Sequence, residues 1–265
     1  MRYFDFHTHA FTDELAQRAV SGLALTSGIK PATDGTINGL RLKLAENGIS
    51  HALILPVATK PSQQETINDW AASVMGGGLY CCGTVHPDAE DALEEIERIK
   101  ALGLYGVKFH SEYQDFCPDE ERMFPIYEKI SELGLIAVFH GGWDPYSKDK
   151  IRATPQSFAA VAKAFPKLRI VAAHLGGMKL WDDIEKYTAG QFDNLWFDVS
   201  VISRYIDDDQ LLRIIKKQGA DRVLFGSDCP WDEPANEIAM IDRLPLTNEE
   251  KELIFYRNAE KLLGI

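Results

Sequence analysis

The run Asp5-Phe6-His7-Thr8-His9 sets one carboxylate and two imidazoles at alternate positions of an aromatic, strand-like stretch near the start of the chain. Successive side chains of a β-strand point to opposite faces. The spacing therefore predicts Asp5, His7 and His9 on one side and Phe4, Phe6 and Thr8 on the other. Two imidazoles aimed at one point make half of a metal site, because neutral imidazole and carboxylate are the donors that suit a borderline divalent ion. An ion with an open coordination position would acidify water and polarise a carbonyl oxygen, so no serine or cysteine nucleophile is needed. Zinc is the expected ion; Mn2+, Co2+ and Fe2+ accept the same donors.

These residues need elements that carry distant stretches of chain to one place. Eight apolar or β-branched runs qualify as strands: Arg2 to His9, His51 to Val57, Leu79 to His86, Gly106 to His110, Ile136 to Gly141, Arg169 to His174, Leu195 to Ser200 and Arg222 to Asp228. Between them lie segments of helical period, such as Leu93, Ile96, Ile99 and Leu102, which share one helical face and stop at Gly103. Gly48, Gly134 and Gly219 read as further helix stops, Thr154-Pro155 as a helix start, and Thr247 with Glu250 as a capping box opening a last helix to Leu263. Strand and helix alternating eight times predict an α/β fold, a (β/α)8 TIM barrel of parallel strands. An open nucleotide-binding sheet would carry a glycine-rich phosphate loop after its first strand, and none is there. The whole chain, residues 1 to 265, reads as one domain without an accessory β-domain, its surplus residues in loops from Ala10 to Gly35 and Gly142 to Thr154.

Barrels of this kind assemble their sites at the C-terminal ends of the strands. His7, His9, His86, His110, His140 and His174 all finish predicted strands, as does Asp228; His51 alone stands at a strand start. Composition narrows the partner. A formal charge of −12 with no Lys/Arg-rich run disfavours nucleic acid and anionic membranes, leaving a small-molecule substrate. No apolar run approaches the roughly 20 residues of a membrane span. Cys81, Cys82, Cys117 and Cys229 show neither zinc-ribbon nor C-x-x-C spacing, which predicts reduced thiols and a cytoplasmic protein. The pattern is compatible with a homo-oligomer and does not specify one.

Five motifs in order, Asp5-Phe-His7-Thr-His9, Gly106-Val-Lys108-Phe-His110, Val138-Phe-His140-Gly-Gly142, Ala173-His174-Leu-Gly-Gly177 and Gly226-Ser-Asp228-Cys-Pro-Trp231, span nearly the whole chain. Together they resemble the amidohydrolase superfamily, in its amidohydrolase-related (amidohydrolase 2) branch, which contains aminocarboxymuconate-semialdehyde decarboxylase. The resemblance implies that His7, His9, His140 and Asp228 hold a divalent metal, with His174 beside it as a further ligand or catalytic acid/base. Binuclear members carry a carboxylated lysine at the end of the fourth strand. Lys108 is thus either a bridge in a second metal site with His140 and His174, or an ammonium that pairs with a carboxylate or binds an acidic substrate; one ion is favoured over two. Asp5 is expected to orient a metal-binding imidazole from behind.

His110, Trp143, Tyr146, Arg152 and Trp231 are the expected pocket lining. Arg152, Lys179 and Arg204 are the candidate anchors for an acidic substrate. The glycines after His140 and His174 are expected to turn the chain or admit substrate closely. The leading expectation is a metal-dependent hydrolase that acts on a small amide, lactone or ester through metal-activated water, with Asp228 as proton shuttle and His174 polarising the substrate. The alternative is a metal-dependent nonoxidative decarboxylase of an unsaturated or aromatic carboxylate. A noncatalytic metal- or ligand-binding barrel is the third reading, since fold alone guarantees no activity.

Overall fold

The computed structural model describes residues 1 to 265. Nine short strand segments follow one another: β1 (Phe4–Thr8), β2 (His51–Ile54), β3 (Leu79–Cys81), β4 (Gly83–Thr84), β5 (Gly106–Phe109), β6 (Ile136–Phe139), β7 (Arg169–Ala172), β8 (Leu195–Asp198) and β9 (Val223–Leu224). Every pairing is parallel, β1 to β3 in one run and β4 to β9 in another. Segments β3 and β4 are halves of the expected third strand, interrupted at Cys82, whose N–H still donates to Ile54 O at 3.0 Å. At the opposite seam Phe6 N donates to Phe225 O at 2.8 Å, Asp228 N to His7 O at 2.8 Å and His9 N to Cys229 O at 2.7 Å. The ring is therefore closed, with helices in the crossovers, as an eight-strand TIM barrel.

Two apolar layers hold it. Phe4, Phe6, Leu53, Leu55, Cys82, Ile136, Val138, Val171, Trp196 and Leu224 form an inner cluster, closed at the base by Ala259 and Leu262 of the last helix. A second cluster of 55 buried residues lies between strands and surrounding helices. Filling the barrel this way leaves no channel, so chemistry is confined to the rim.

The first strand departs from simple alternation. Pairing runs Phe4 to His51, Asp5 to Ala52, then Thr8 to Ile54, so β1 carries one residue more than β2 across this stretch. Such a bulge turns the strand between Asp5 and His7. Phe4 and Phe6 point into the barrel, while Asp5 points away and accepts from Ser227 N at 2.9 Å and Ser227 Oγ at 2.5 Å. The expectation that Asp5 shares a face with His7 and His9 and orients an imidazole is therefore corrected: its side chain ties the first strand to the loop before Asp228.

The segment from Ala10 to Gly35 is also more than a loop. It contains a helix, Asp13–Ser27, that starts after an extended Thr12, carries Asp13 and Glu14 in its first turn and stops at a left-handed Gly28. Its apolar stripe is thin, with only Ala16 and Val20 buried, which is why no strong helical period announces it. The last helix also differs from expectation. The capping box at Thr247 is present, but Leu253–Arg257 forms a π turn. A wider turn frees a carbonyl from the helical ladder, and Ile254 O accepts from Phe225 N at 2.8 Å.

Among the glycines after the rim histidines, Gly142 is the most constrained. Its φ is 80°, and a Cβ placed there would stand 2.3 Å from Met178 N. Gly142→Ala is expected to lower unfolding free energy by about 2 kcal/mol, through left-handed strain plus a backbone clash that no rotamer relieves. Urea denaturation of the pair checks this, and equal midpoints would show that the two loops separate freely.

Candidate active site

The ends of β1, β5, β6, β7, β8 and the loop after β9 converge on one cavity of about 690 Å3. His7, His9, Lys108, His110, His140, His174 and Asp228 line it, together with Trp143, Tyr146 and Trp231. Every expected metal ligand is there, and so is every expected pocket-lining residue except Arg152. Its guanidinium pairs with Asp115 and its N–H donates to Glu112 Oε1 at 2.9 Å, so it braces the loop behind the wall and the pocket assignment is corrected. Lys179 stacks on Trp143, with its Nζ 3.4 Å from the ring centroid. Arg204 pairs with Asp232 at 2.5 Å. Neither lines the cavity. His86 and His51 are structural: the first accepts from Asp88 N and the second stacks between Phe4 and Tyr80.

Hydrogen bonds fix the protons at the centre. His7 Nδ1 lies 2.9 Å from Asp198 Oδ2, so it carries the hydrogen and Nε2 is left with its lone pair. His9 Nδ1 lies 2.8 Å from Leu55 O, an acceptor only, which fixes the same tautomer. The two Nε2 atoms then face each other at 3.2 Å. Asp228 Oδ1 approaches them at 3.4 Å and 3.0 Å. Three acceptors within this distance repel unless a cation lies among them, and the Lys108 ammonium, 3.3 Å from His7 Nε2, reaches only one of the three. The trio fits a divalent ion on that ground, and the ring nitrogens are already held by acceptors behind them, the arrangement that orients metal-binding imidazoles.

His140 stands in an adjoining group with His110 and Asp144. His174 Nδ1 is 3.0 Å from Ser200 O and therefore donates to it, leaving Nε2 as an acceptor for His140 Nδ1–H at 3.0 Å. His140 Nε2 is consequently a buried lone pair without a donor, which a cation would satisfy. The structure thus brings His7, His9 and Asp228 directly together and joins His140 to them through His174 and Ser200, whose Oγ is 3.0 Å from both His7 Nδ1 and His174 Nδ1.

Electrostatics follow from burial and neighbours. Burial, then the Lys108 ammonium, push His7 down to about 4, and burial drives His110 and His140 well below the ordinary imidazole value, so these rings are neutral at pH 7. Burial lowers Lys108 to about 8, against the pull of Asp198 and Asp228. Its Nζ sits 3.3 Å from His7 Nε2. For Asp198 and Asp228 burial alone would raise the carboxyl, but His7 and further histidine contacts outweigh it and hold both well below the usual carboxylate range.

Asp198 is the residue that sequence reading missed. It ends β8 fully buried and accepts from His7 Nδ1, from His174 N at 3.0 Å and from Ser200 Oγ at 2.6 Å. Its signal was a carboxylate closing an otherwise apolar strand, Leu-Trp-Phe-Asp, at the rim level of the histidines. Glu112, Tyr113 and Asp144 were also missed; they cluster beside His110, which stacks on Tyr113 with centroids 3.5 Å apart.

Comparison with known proteins agrees with this frame. The family model described as amidohydrolase matches residues 5–265, and the chain belongs to that family. A 2-amino-3-carboxymuconate-6-semialdehyde decarboxylase of Dictyostelium discoideum is 24% identical over 221 residues, 66% of this chain and 58% of that protein. A dihydroorotase of Helicobacter hepaticus is 24% identical over 170 residues, 58% of this chain and 48% of that protein. The chain thus spans about half the length of the curated relatives it matches. A solved TIM-barrel protein of Bordetella bronchiseptica superposes with a TM-score of 0.82 at 19% identity, covering 100% of this chain and 99% of the other. No helix is long and apolar enough to cross a membrane, and all four cysteines are free.

Proposed function

We propose that the protein is a metal-dependent, nonoxidative decarboxylase of a small unsaturated or aromatic carboxylate, with His7, His9, His140 and Asp228 holding one divalent ion. The observation that carries this reading is the convergence of two Nε2 lone pairs and one carboxylate oxygen at the floor of a largely apolar cavity. When bound, the ion supplies positive charge for substrate oxygens; Zn2+ is our first choice.

The chain's own residues handle the rest. Loss of CO2 leaves an electron pair on carbon that a proton must take. His174 lines the cavity and, once protonated at Nε2 by solvent, would pass that proton to the carbon and return to the neutral ring. Asp198 carries the compensating negative charge beside His174. Aromatic and apolar walls exclude water from the carbanionic carbon. Lys108 stays an unmodified amine that offers positive charge at the cavity floor.

Decarboxylation is placed ahead of hydrolysis because His174 lines the cavity beside the buried Asp198 carboxylate, where a proton donor to carbon is needed, and because the aromatic walls suit a planar unsaturated substrate. Hydrolysis keeps one observation in its favour: Asp228 lines the cavity and is reachable by water. Zinc-loaded protein given a panel of unsaturated and aromatic carboxylates should release CO2 from at least one and leave lactone and amide panels unchanged. Hydrolysis without CO2 release would reverse the order; inertness toward both panels would leave the binding-protein reading.

A further inference from the structure

We propose that Arg18, on the helix Asp13–Ser27, is the specificity residue that binds a second carboxylate of the substrate at the outer end of the cavity. The protein has twelve arginines. Nine pair with carboxylates: Arg2, Arg98, Arg122, Arg152, Arg204, Arg213, Arg222, Arg243 and Arg257. Arg41 and Arg169 donate to backbone carbonyls. Arg18 alone has neither an ion pair nor a hydrogen bond, in a chain with 40 acidic residues against 28 basic ones, and it is the one arginine that lines the cavity.

Helical spacing explains its aim. Leu15, Arg18, Ala19 and Leu23 all line the cavity, and positions three, four and eight residues apart share a helical face. Ala16 and Val20 pack inward and fix the helix against the body. The cavity holds one other cation, Lys108, at the opposite depth, 1% exposed and beside His7. Its acidic lining residues, Glu112, Asp144 and Asp228, come from strand ends and the loops after them. An anion is therefore repelled by the acidic inner wall except beside Lys108 and the metal ligands, and it finds a free guanidinium fork only on this helix.

Phe11, Trp70, Trp143, Tyr205 and Trp231 supply flat apolar walls to the same cavity. The occupant that matches is a planar unsaturated or aromatic dicarboxylate, one carboxylate toward Lys108 and the trio, the other in a bidentate pair with Arg18. This inference rests on the proposed carboxylate substrate but not on the reaction it undergoes.

Calorimetric titration of the zinc-loaded protein with isophthalate and with benzoate tests it. The wild type should bind isophthalate more tightly than benzoate. Arg18→Gln should weaken isophthalate by about tenfold or more and benzoate by less than about twofold; Arg18→Lys, a point charge without the fork, should fall between. Equal losses for the two probes, no loss for either, or a wild type that binds neither would each overturn the assignment. Arg18 is exposed and unpaired, so the variants should keep the wild-type melting temperature, which is measured alongside. If no carboxylate releases CO2 while isophthalate binding still depends on Arg18, the proposed reaction fails and the anchor stands.

Discussion

His7→Ala protein, purified in the presence of zinc, is expected to retain less than about a tenth of the wild-type metal and to lose at least about a thousandfold in kcat/KM. Removing the ring takes away one Nε2 donor, and it also leaves Asp198 a fully buried carboxylate without its principal partner. Deleting the neutral donor of a buried hydrogen bond to a charged carboxylate costs about 1.5 to 3 kcal/mol, so the apo form should melt lower than the wild type. Both losses follow from one residue serving two partners, the metal in front and the carboxylate behind. Elemental analysis and a thermal melt separate them. Full metal content with low activity would place His7 in the reaction but outside the ligand set.

The second large effect is expected at Asp198, a position with no direct contact to an ion. Asp198→Asn keeps the shape of the side chain but offers an amide that can donate, so His7 is no longer compelled to hold its hydrogen on Nδ1. The wrong tautomer turns an N–H toward the trio in place of a lone pair. Loss of such a supporting acceptor typically lowers metal affinity by about 10 to 100-fold. A competition titration against a chelating dye reads this directly, and saturating zinc should restore part of the activity to Asp198→Asn but none to His7→Ala. Unaltered zinc affinity in Asp198→Asn would reduce the carboxylate to a purely structural role.

The barrel was legible because each strand is a short apolar run ended by a polar group, and the crossovers carry helical period and caps that local chemistry enforces, as at Thr154 and Thr247. The rim histidines were legible for the same reason: strand ends point their last side chains to one side of the barrel. What stayed hidden depends on partners far away in sequence. The bulge in β1 exists because Phe4 and Phe6 both fill the barrel core while His7 reaches Asp198, 191 residues on, and strict alternation misplaced Asp5. Asp198 has no motif of its own, and its role appears only once β8 lies beside β1. The helix Asp13–Ser27 buries too little to announce itself. Arg152 and Arg204 looked free in sequence because the carboxylates that hold them, Asp115 and Asp232, meet them only through the folded loops.

One measurement bears most directly on the central claim: anomalous diffraction at the zinc edge from crystals of the zinc-loaded protein. The expected map has a single strong peak within about 2.0 to 2.2 Å of His7 Nε2, His9 Nε2, His140 Nε2 and an Asp228 oxygen, with Lys108 an unmodified amine. A map without a peak among these atoms, or with zinc held only by His110 and Asp144, would contradict the account.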